Sequence, residues 1–292
     1  MIGRSDRPHA ADLRAHEKTT YRGEDRQVKD TTGVIADLTA EAAEVDALVA
    51  GLSEEEWDTP TPAPGWHVRH QIGHLAFIFR IAGLSAAQPD AFVEMAKASA
   101  AVGFEKAVEG ALQEYIHDPA EVLLGRWRAE RDTAIKALAA VPGDQLVPWL
   151  VNPLPPYVLA CAGMMEVFGH GQDIADALGV RPERTDRIKH LAGFAVRVRD
   201  FGYEARNLTP PDEEFRFELT APSGAEWTFG PADATQRIIG SAEDFCLLVT
   251  RRRHRFDLDL HATGTLADQW LDIAQAYRGA AGEGRRPGQF DA

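Results

Sequence analysis

The sequence predicts a mainly helical protein with a smaller α+β domain behind it, and three observations carry that expectation. Apolar residues recur at three- and four-residue spacing in four long segments between residues 31 and 179, the stripe of amphipathic helices. Past the Arg181-Pro182 break the period changes to two, as in Phe215-Arg-Phe-Glu-Leu-Thr-Ala, which alternates as a half-buried strand does. The chain has 292 residues, enough for two domains of ordinary size at roughly 100 to 200 residues each.

Residues 1–29 are rich in charge, poor in apolar positions and without period, so they are expected to be a disordered tail. The first helix begins near Thr31, with Val34, Ile35, Leu38, Ala42, Val45, Leu48 and Leu52 on one stripe. The Pro- and Gly-containing stretch from Asp58 to Gly65 ends it. A second helix follows from Trp66-His67, its stripe running through Ile72, Leu75, Ile78, Phe79 and Ala82. Residues 85–120 read as a less regular helical insertion, Val122–Val141 as a third helix ended by Pro142-Gly143, and Tyr157 to Gly179 as a fourth, with Gly179 as its cap. Residues 30–180 are therefore expected to form an antiparallel four-helix bundle.

In the second domain, residues 185–279, Ile188–Tyr203 reads as helix and Phe215–Ala221 as strand. Ser223-Gly224 is a turn, Glu226–Phe229 the hairpin partner, Ala242–Val249 helix, Phe256–His261 strand and Leu266–Tyr277 a closing helix. Residues 280–292, rich in Gly and Arg, are expected to be flexible.

The apolar fraction of 45% and charged fraction of 26% are those of a globular protein. No stretch reaches the roughly 18 apolar residues of a membrane span, so no membrane partner is expected. The opening residues lack a signal-peptide core, which makes the cytoplasm the expected compartment. A net charge of -14 argues against a nucleic-acid surface, which needs a clustered positive field. The run Arg251-Arg252-Arg253-His254-Arg255 is too short to reverse that and reads as a cationic helix end. Cys161 and Cys246 fall in apolar helical patterns in different domains, so they read as core residues and not as a disulfide.

The residues with chemistry lie on two of the bundle helices. Glu166 and His170 stand four apart and share one helix face, where one metal ion can reach both. His74 sits mid-helix on another apolar segment, and bundle cores assemble metal sites from inward-facing ligands of facing helices. Two imidazoles and a carboxylate suit zinc or another borderline divalent ion and leave a position open. Glu-x-x-x-His also occurs by chance, and spacing alone leaves hydrogen-bonded core histidines as an alternative.

The string Pro64-Gly65-Trp66-His67-Val68-Arg69-His70-Gln71-Ile72-Gly73-His74-Leu75-Ala76, followed about ninety residues later by Glu166-Val-Phe-Gly-His170-Gly-Gln-Asp173-Ile-Ala, resembles the mycothiol-dependent maleylpyruvate isomerase family of the broader DinB-like metal-binding superfamily. The resemblance implies a DinB-like bundle whose metal ligands are His74, Glu166 and His170, with zinc as the usual ion. It further implies mycothiol, a low-molecular-weight thiol, as cosubstrate and a transferase or isomerase reaction on a small electrophilic substrate. The C-terminal domain resembles, by its order of elements, the sterol-carrier-like α+β domains attached to such bundles. In the isomerase an arginine of that domain contributes to activity, which makes Arg251, Arg252 and Arg253 candidates here, with Arg252 and Arg253 placed beside His70 as catalytic candidates. The family commonly has an acidic residue where this chain has His70. His70 is thus open to three readings: a fourth ligand, a residue supporting the ligands, or a solvated residue at the pocket mouth. Asp173 is a candidate acceptor for the second N–H of His170. The alternatives to a thiol-dependent enzyme are a non-catalytic metal- and ligand-binding protein and a metal-dependent hydrolase.

Overall fold

The computed structural model describes residues 31–150 and 152–290; the expected tail at residues 1–29 lies outside them. Four long helices make the bundle: α1 (Thr31–Val49), α2 (Val68–Ala87), α5 (Ala120–Ala140) and α6 (Pro156–Leu178). Between α2 and α5 the insertion resolves into two regular helices, α3 (Pro89–Val102) and α4 (Phe104–Ile116). Pro89 stands in the first turn of α3, where its missing N–H costs nothing. Among the described residues no helix is long and apolar enough to cross a membrane.

Helix α1 buries Val34, Leu38, Ala42, Val45 and Val49, a single stripe, against α6. The close approach depends on glycine in α6. A Cβ on Gly163 would stand 3.3 Å from Leu38 Cδ2, and one on Gly171 would stand 2.7 Å from Val45 Cγ2. Helix α2 packs most extensively on α5, where a Cβ on Gly83 would meet Ala134 Cα at 3.1 Å. Gly179, left-handed at φ 66°, ends α6 in a conformation that its lack of a Cβ permits.

The segment before α2 is tied down on both sides. Trp57 is buried in a short 3-10 turn (Glu56–Asp58), and Pro60 and His67 form an isolated antiparallel bridge. Buried Arg69 donates to Asp58 Oδ1 at 2.5 Å and Glu54 Oε1 at 2.9 Å, and also to the carbonyls of Ile116 and Asp118. These bonds fix the position from which Trp66 faces the bundle.

The second unit begins with a 3-10 turn at Asp186–Ile188, followed by α7 (Lys189–Arg197) and α8 (Phe201–Glu204), so the helix expected over Ile188–Tyr203 is broken into three pieces. A four-stranded sheet follows in the order β2-β1-β3-β4, from β1 (Phe215–Thr220), β2 (Glu226–Phe229), β3 (Gln236–Ser241) and β4 (Leu260–Thr263). β1 runs antiparallel to β2 and parallel to β3, and β3 runs antiparallel to β4. Helices α9 (Ala242–Val249) and α10 (Thr265–Ile273) cover it, with Phe217, Phe245 and Trp270 meeting edge-on or stacked at 5.5 to 6.2 Å. One continuous apolar core joins this sheet to the bundle.

Three expectations for this unit need correction. β3 was not anticipated, because Ile238 alone is buried within it and the alternation that marks a strand is missing. The strand expected over Phe256–His261 begins four residues later: Arg255–Asp257 is a 3-10 turn, and Phe256 is 74% exposed. The closing helix stops at Ile273 instead of Tyr277. The C-terminal segment expected to be flexible instead folds back on the protein, with the Arg285 side chain only 8% exposed and Gly288 N–H donating to Asp257. Cys161 and Cys246 are buried and are not joined in a disulfide.

Candidate metal centre

Helices α2 and α6 cross so that His74, Glu166 and His170 offer ligand atoms all within 4.8 Å of one another. His74 Nε2 lies 3.5 Å, and His170 Nε2 3.3 Å, from the same carboxylate oxygen, Glu166 Oε2. The imidazole centroids are 4.5 Å apart. The side chains keep 13%, 22% and 13% of their exposure in that order, so the cluster is sheltered yet reachable.

The chemistry of the donors follows from what lies behind them. His170 Nδ1 is 2.5 Å from Gln71 Oε1. The Gln71 amide is oriented by its nitrogen, which donates to Thr61 Oγ1 at 2.9 Å and to Asp173 Oδ2 at 3.4 Å. An amide oxygen only accepts, so Nδ1 of His170 carries the hydrogen and Nε2 presents a lone pair to Glu166. Burial and the neighbouring His74, with Arg252 adding to them, lower the His170 pKa to about 4, keeping the ring neutral near pH 7.

A lone pair and a carboxylate oxygen at 3.3 Å, with no proton between them, repel each other. A divalent cation resolves that repulsion, and two imidazoles with one carboxylate are a donor set that zinc accepts. The residues therefore fit a divalent ion. His74 Nδ1 is buried with no hydrogen-bond partner among the described residues, so packing and the Nε2 contact with Glu166 set the orientation of the ring. The Trp66 indole supplies part of that packing, with its ring centroid 5.5 Å from His74 and 5.9 Å from His170, stacked on the latter.

The remaining sequence candidates stand around this cluster in different ways. His70 accepts the His67 backbone N–H on Nδ1 at 3.1 Å, closing the first turn of α2, and lies outside the group of three. Asp173 does not touch His170; Gln71 occupies that position, and Asp173 supports Gln71 instead. Asp173 is fully buried between two guanidiniums, Arg252 Nη2 at 2.8 Å and Arg285 Nη2 at 2.6 Å. Arg252 Nε also donates to Gly169 O, lying across α6 where a Cβ on Gly169 would press on it at 3.3 Å. Arg253 forms a two-pronged pair with Asp176 at 2.7 and 2.8 Å. Arg251, the third arginine of the run, reaches neither carboxylate.

Gln71, Trp66 and Arg285 were not among the sequence candidates. Gln71 is the residue three before His74 on the same helix face, a spacing that could have pointed to it. Arg285 gave no signal, because nothing local ties a C-terminal arginine to α6.

Fold and site together define a helical-bundle protein with a two-histidine, one-carboxylate cluster between two of its helices and an α+β unit closing over one of them. Residues 38–175 match the family described as the mycothiol maleylpyruvate isomerase N-terminal domain, and the helical bundle of this chain belongs to that domain family. Residues 211–263, which span the sheet, match a family described as wyosine base formation. The chain is 45% identical over 251 residues to an uncharacterized protein of Mycobacterium tuberculosis strain H37Rv, Rv0036c, covering 86% of this chain and 97% of that one. The counterpart in the Oshkosh strain, MT0041, matches to the same extent. Among solved structures, a mutant of mycothiol-dependent maleylpyruvate isomerase superposes with a TM-score of 0.53 at 11% identity, covering 80% of this chain and 92% of that chain, a likeness of fold.

Proposed function

We propose that this protein is a divalent-metal enzyme, with zinc held by His74, Glu166 and His170, that uses a low-molecular-weight thiol of the mycothiol kind to transfer or isomerise a small electrophilic substrate. The observation that carries the reading is the His170 lone pair turned on Glu166 by Gln71, an arrangement that is stable with a cation between the two. A bound zinc ion would lower the pKa of a thiol at its open position and so supply a thiolate near neutral pH.

This chain's own residues do the rest. Gln71 fixes the His170 tautomer, and Asp173 fixes Gln71. Trp66 walls one side of the cluster, its indole packed against both imidazoles. In this reading His70 remains the cap of α2 and leaves the open position to the thiol. Arg252 and Arg253 are committed to Asp173 and Asp176, so their part is to position α6 and its two ligands.

The test is metal content of the purified protein and of His74→Ala and Glu166→Ala, followed by ultraviolet titration of mycothiol ionisation in the zinc-loaded protein. One ion per chain, lost in both variants, with the thiol titrating lower when the protein is present, is the expected result. Unchanged metal content in both variants rejects the ligand set. Full occupancy with no effect on the thiol rejects the thiol chemistry and favours a non-catalytic metal- and ligand-binding protein, or a hydrolase.

A further inference from the structure

Behind Asp173, on the side away from the His-Glu-His cluster, α9, the following arginine run, α10 and the C-terminal segment enclose a pocket of about 120 Å³. Four of its lining residues are arginines: Arg251, Arg253, Arg255 and Arg285. Two are already neutralised, Arg253 by Asp176 and Arg255 by Asp268 and Asp272. The other two have donors to spare. The Nε atoms of Arg251 and Arg285 are buried and have no hydrogen-bond partner among the described residues.

Leaving a charged donor buried and unpaired costs more than leaving a neutral one so, and such groups are almost always matched. Arg285 uses Nη2 for Asp173, and Arg251 has only a long 3.5 Å contact from Nη2 to Gly282 O. No carboxylate among the described residues pairs with Arg251. Its charge is felt next door: burial first, and Arg251 second, push the pKa of Arg206 below its ordinary value, and Arg206 donates only to carbonyls, those of Gly202 and Ile273. Glu283 contributes the one acidic side chain of the lining not taken up by an arginine.

We propose that this pocket binds a small oxyanion of the carboxylate or phosphate kind, held by the spare guanidinium donors of Arg251 and Arg285. Guanidinium groups present N–H donors in a planar fork that matches both chemistries. The pocket has room for a group of a few heavy atoms and no more. A Cβ on Gly284 would stand 2.6 Å from Arg251 Nη2, so the C-terminal segment crosses close over that guanidinium. Because Arg285 also holds Asp173, an anion in the pocket shares a guanidinium with the carboxylate that supports Gln71. The site is thus separate from the metal cluster but joined to it by one side chain.

Calorimetric titration of the full-length protein with inorganic phosphate, and separately with succinate, tests this. Wild-type protein is expected to bind at least one of them saturably at one per chain, and comparison of the two identifies the preferred oxyanion. Arg251→Gln should weaken binding about tenfold or more, the loss expected for one charged hydrogen-bonding partner, while Arg278→Gln, outside the pocket, and His74→Ala should bind as wild type does. Arg251→Lys keeps the charge without the fork and should fall between. Circular dichroism and melting temperature establish that each variant is folded. Absence of saturable binding of both anions to the wild type overturns the proposal, and so does binding that survives in Arg251→Gln but is lost in His74→Ala, which places the anion on the metal.

Discussion

His170 Nδ1 and Gln71 Oε1 are 2.5 Å apart, the one contact that decides which nitrogen of His170 faces Glu166. The two residues are 99 positions apart in the chain and sit on facing helices. Partners of this kind orient a ligating imidazole and raise its basicity.

Replacing Gln71 with Leu therefore costs metal affinity by about 10- to 100-fold, the usual consequence of losing such a partner. Competition with a chromophoric zinc chelator reads the change. Gln71→Glu keeps an acceptor at the same place and is expected to retain most of the affinity. Equal affinity in wild type and Gln71→Leu would mean that Gln71 has no hold on the site.

Acid lability of the metal-free protein follows from the His170 pKa of about 4, below its ordinary 6.5. Between those values the unfolded chain holds the proton and the folded one does not, so stability is complete above pH 6.5 and is lost as the pH falls towards 4. From pH 7 to pH 5 the loss from this group is roughly 2 kcal/mol. Urea unfolding of chelator-treated protein at both pH values, beside His170→Gln, measures it; the variant should show a correspondingly shallower pH dependence. Parallel slopes would show that His170 is as easily protonated folded as unfolded.

Asp173 holds two buried guanidiniums, and its removal leaves both without their carboxylate. Asp173→Ala is expected to destabilise the protein by about 3 to 5 kcal/mol, as breaking a buried ion pair from one side does. The denaturation midpoint should fall accordingly, and a drop of less than 1 kcal/mol would mean that water replaces the carboxylate without loss.

Gly171 lies under Val45, where a new Cβ would come to 2.7 Å of Cγ2. Gly171→Ala should cost about 1 to 3 kcal/mol by forcing α1 from α6. Adding Val45→Ala makes room for the methyl, so the double variant should recover part of that loss, in a double-mutant cycle with clear coupling. Strict additivity would show that the two side chains do not meet.

Much of the bundle was legible from its stripes. Val34, Leu38, Ala42 and Val45 recur as α1 buries them, and α9 runs over Ala242–Val249 as its apolar run predicts. The candidate ligands were legible for the same reason, since Glu166 and His170 are brought together by one turn of helix. Strand β3 was hidden because its pairing partners, and not its own alternation, make it a strand: it lies between β1 and β4 with little to bury.

What the sequence by itself determined is the set of bundle helices, the break at Arg181-Pro182, the change of period at Phe215 and the local pair Glu166 and His170, all consequences of side chains a few residues apart. Only the tertiary structure decided that Gln71 and not Asp173 stands behind His170, that His70 closes a helix turn, and that the C-terminal Arg285 reaches Asp173 across 112 positions. Each of these depends on how helices cross and where a chain end is laid down. Those are set by the packing of whole faces, such as glycines 163 and 171 admitting α1, and no local spacing encodes them.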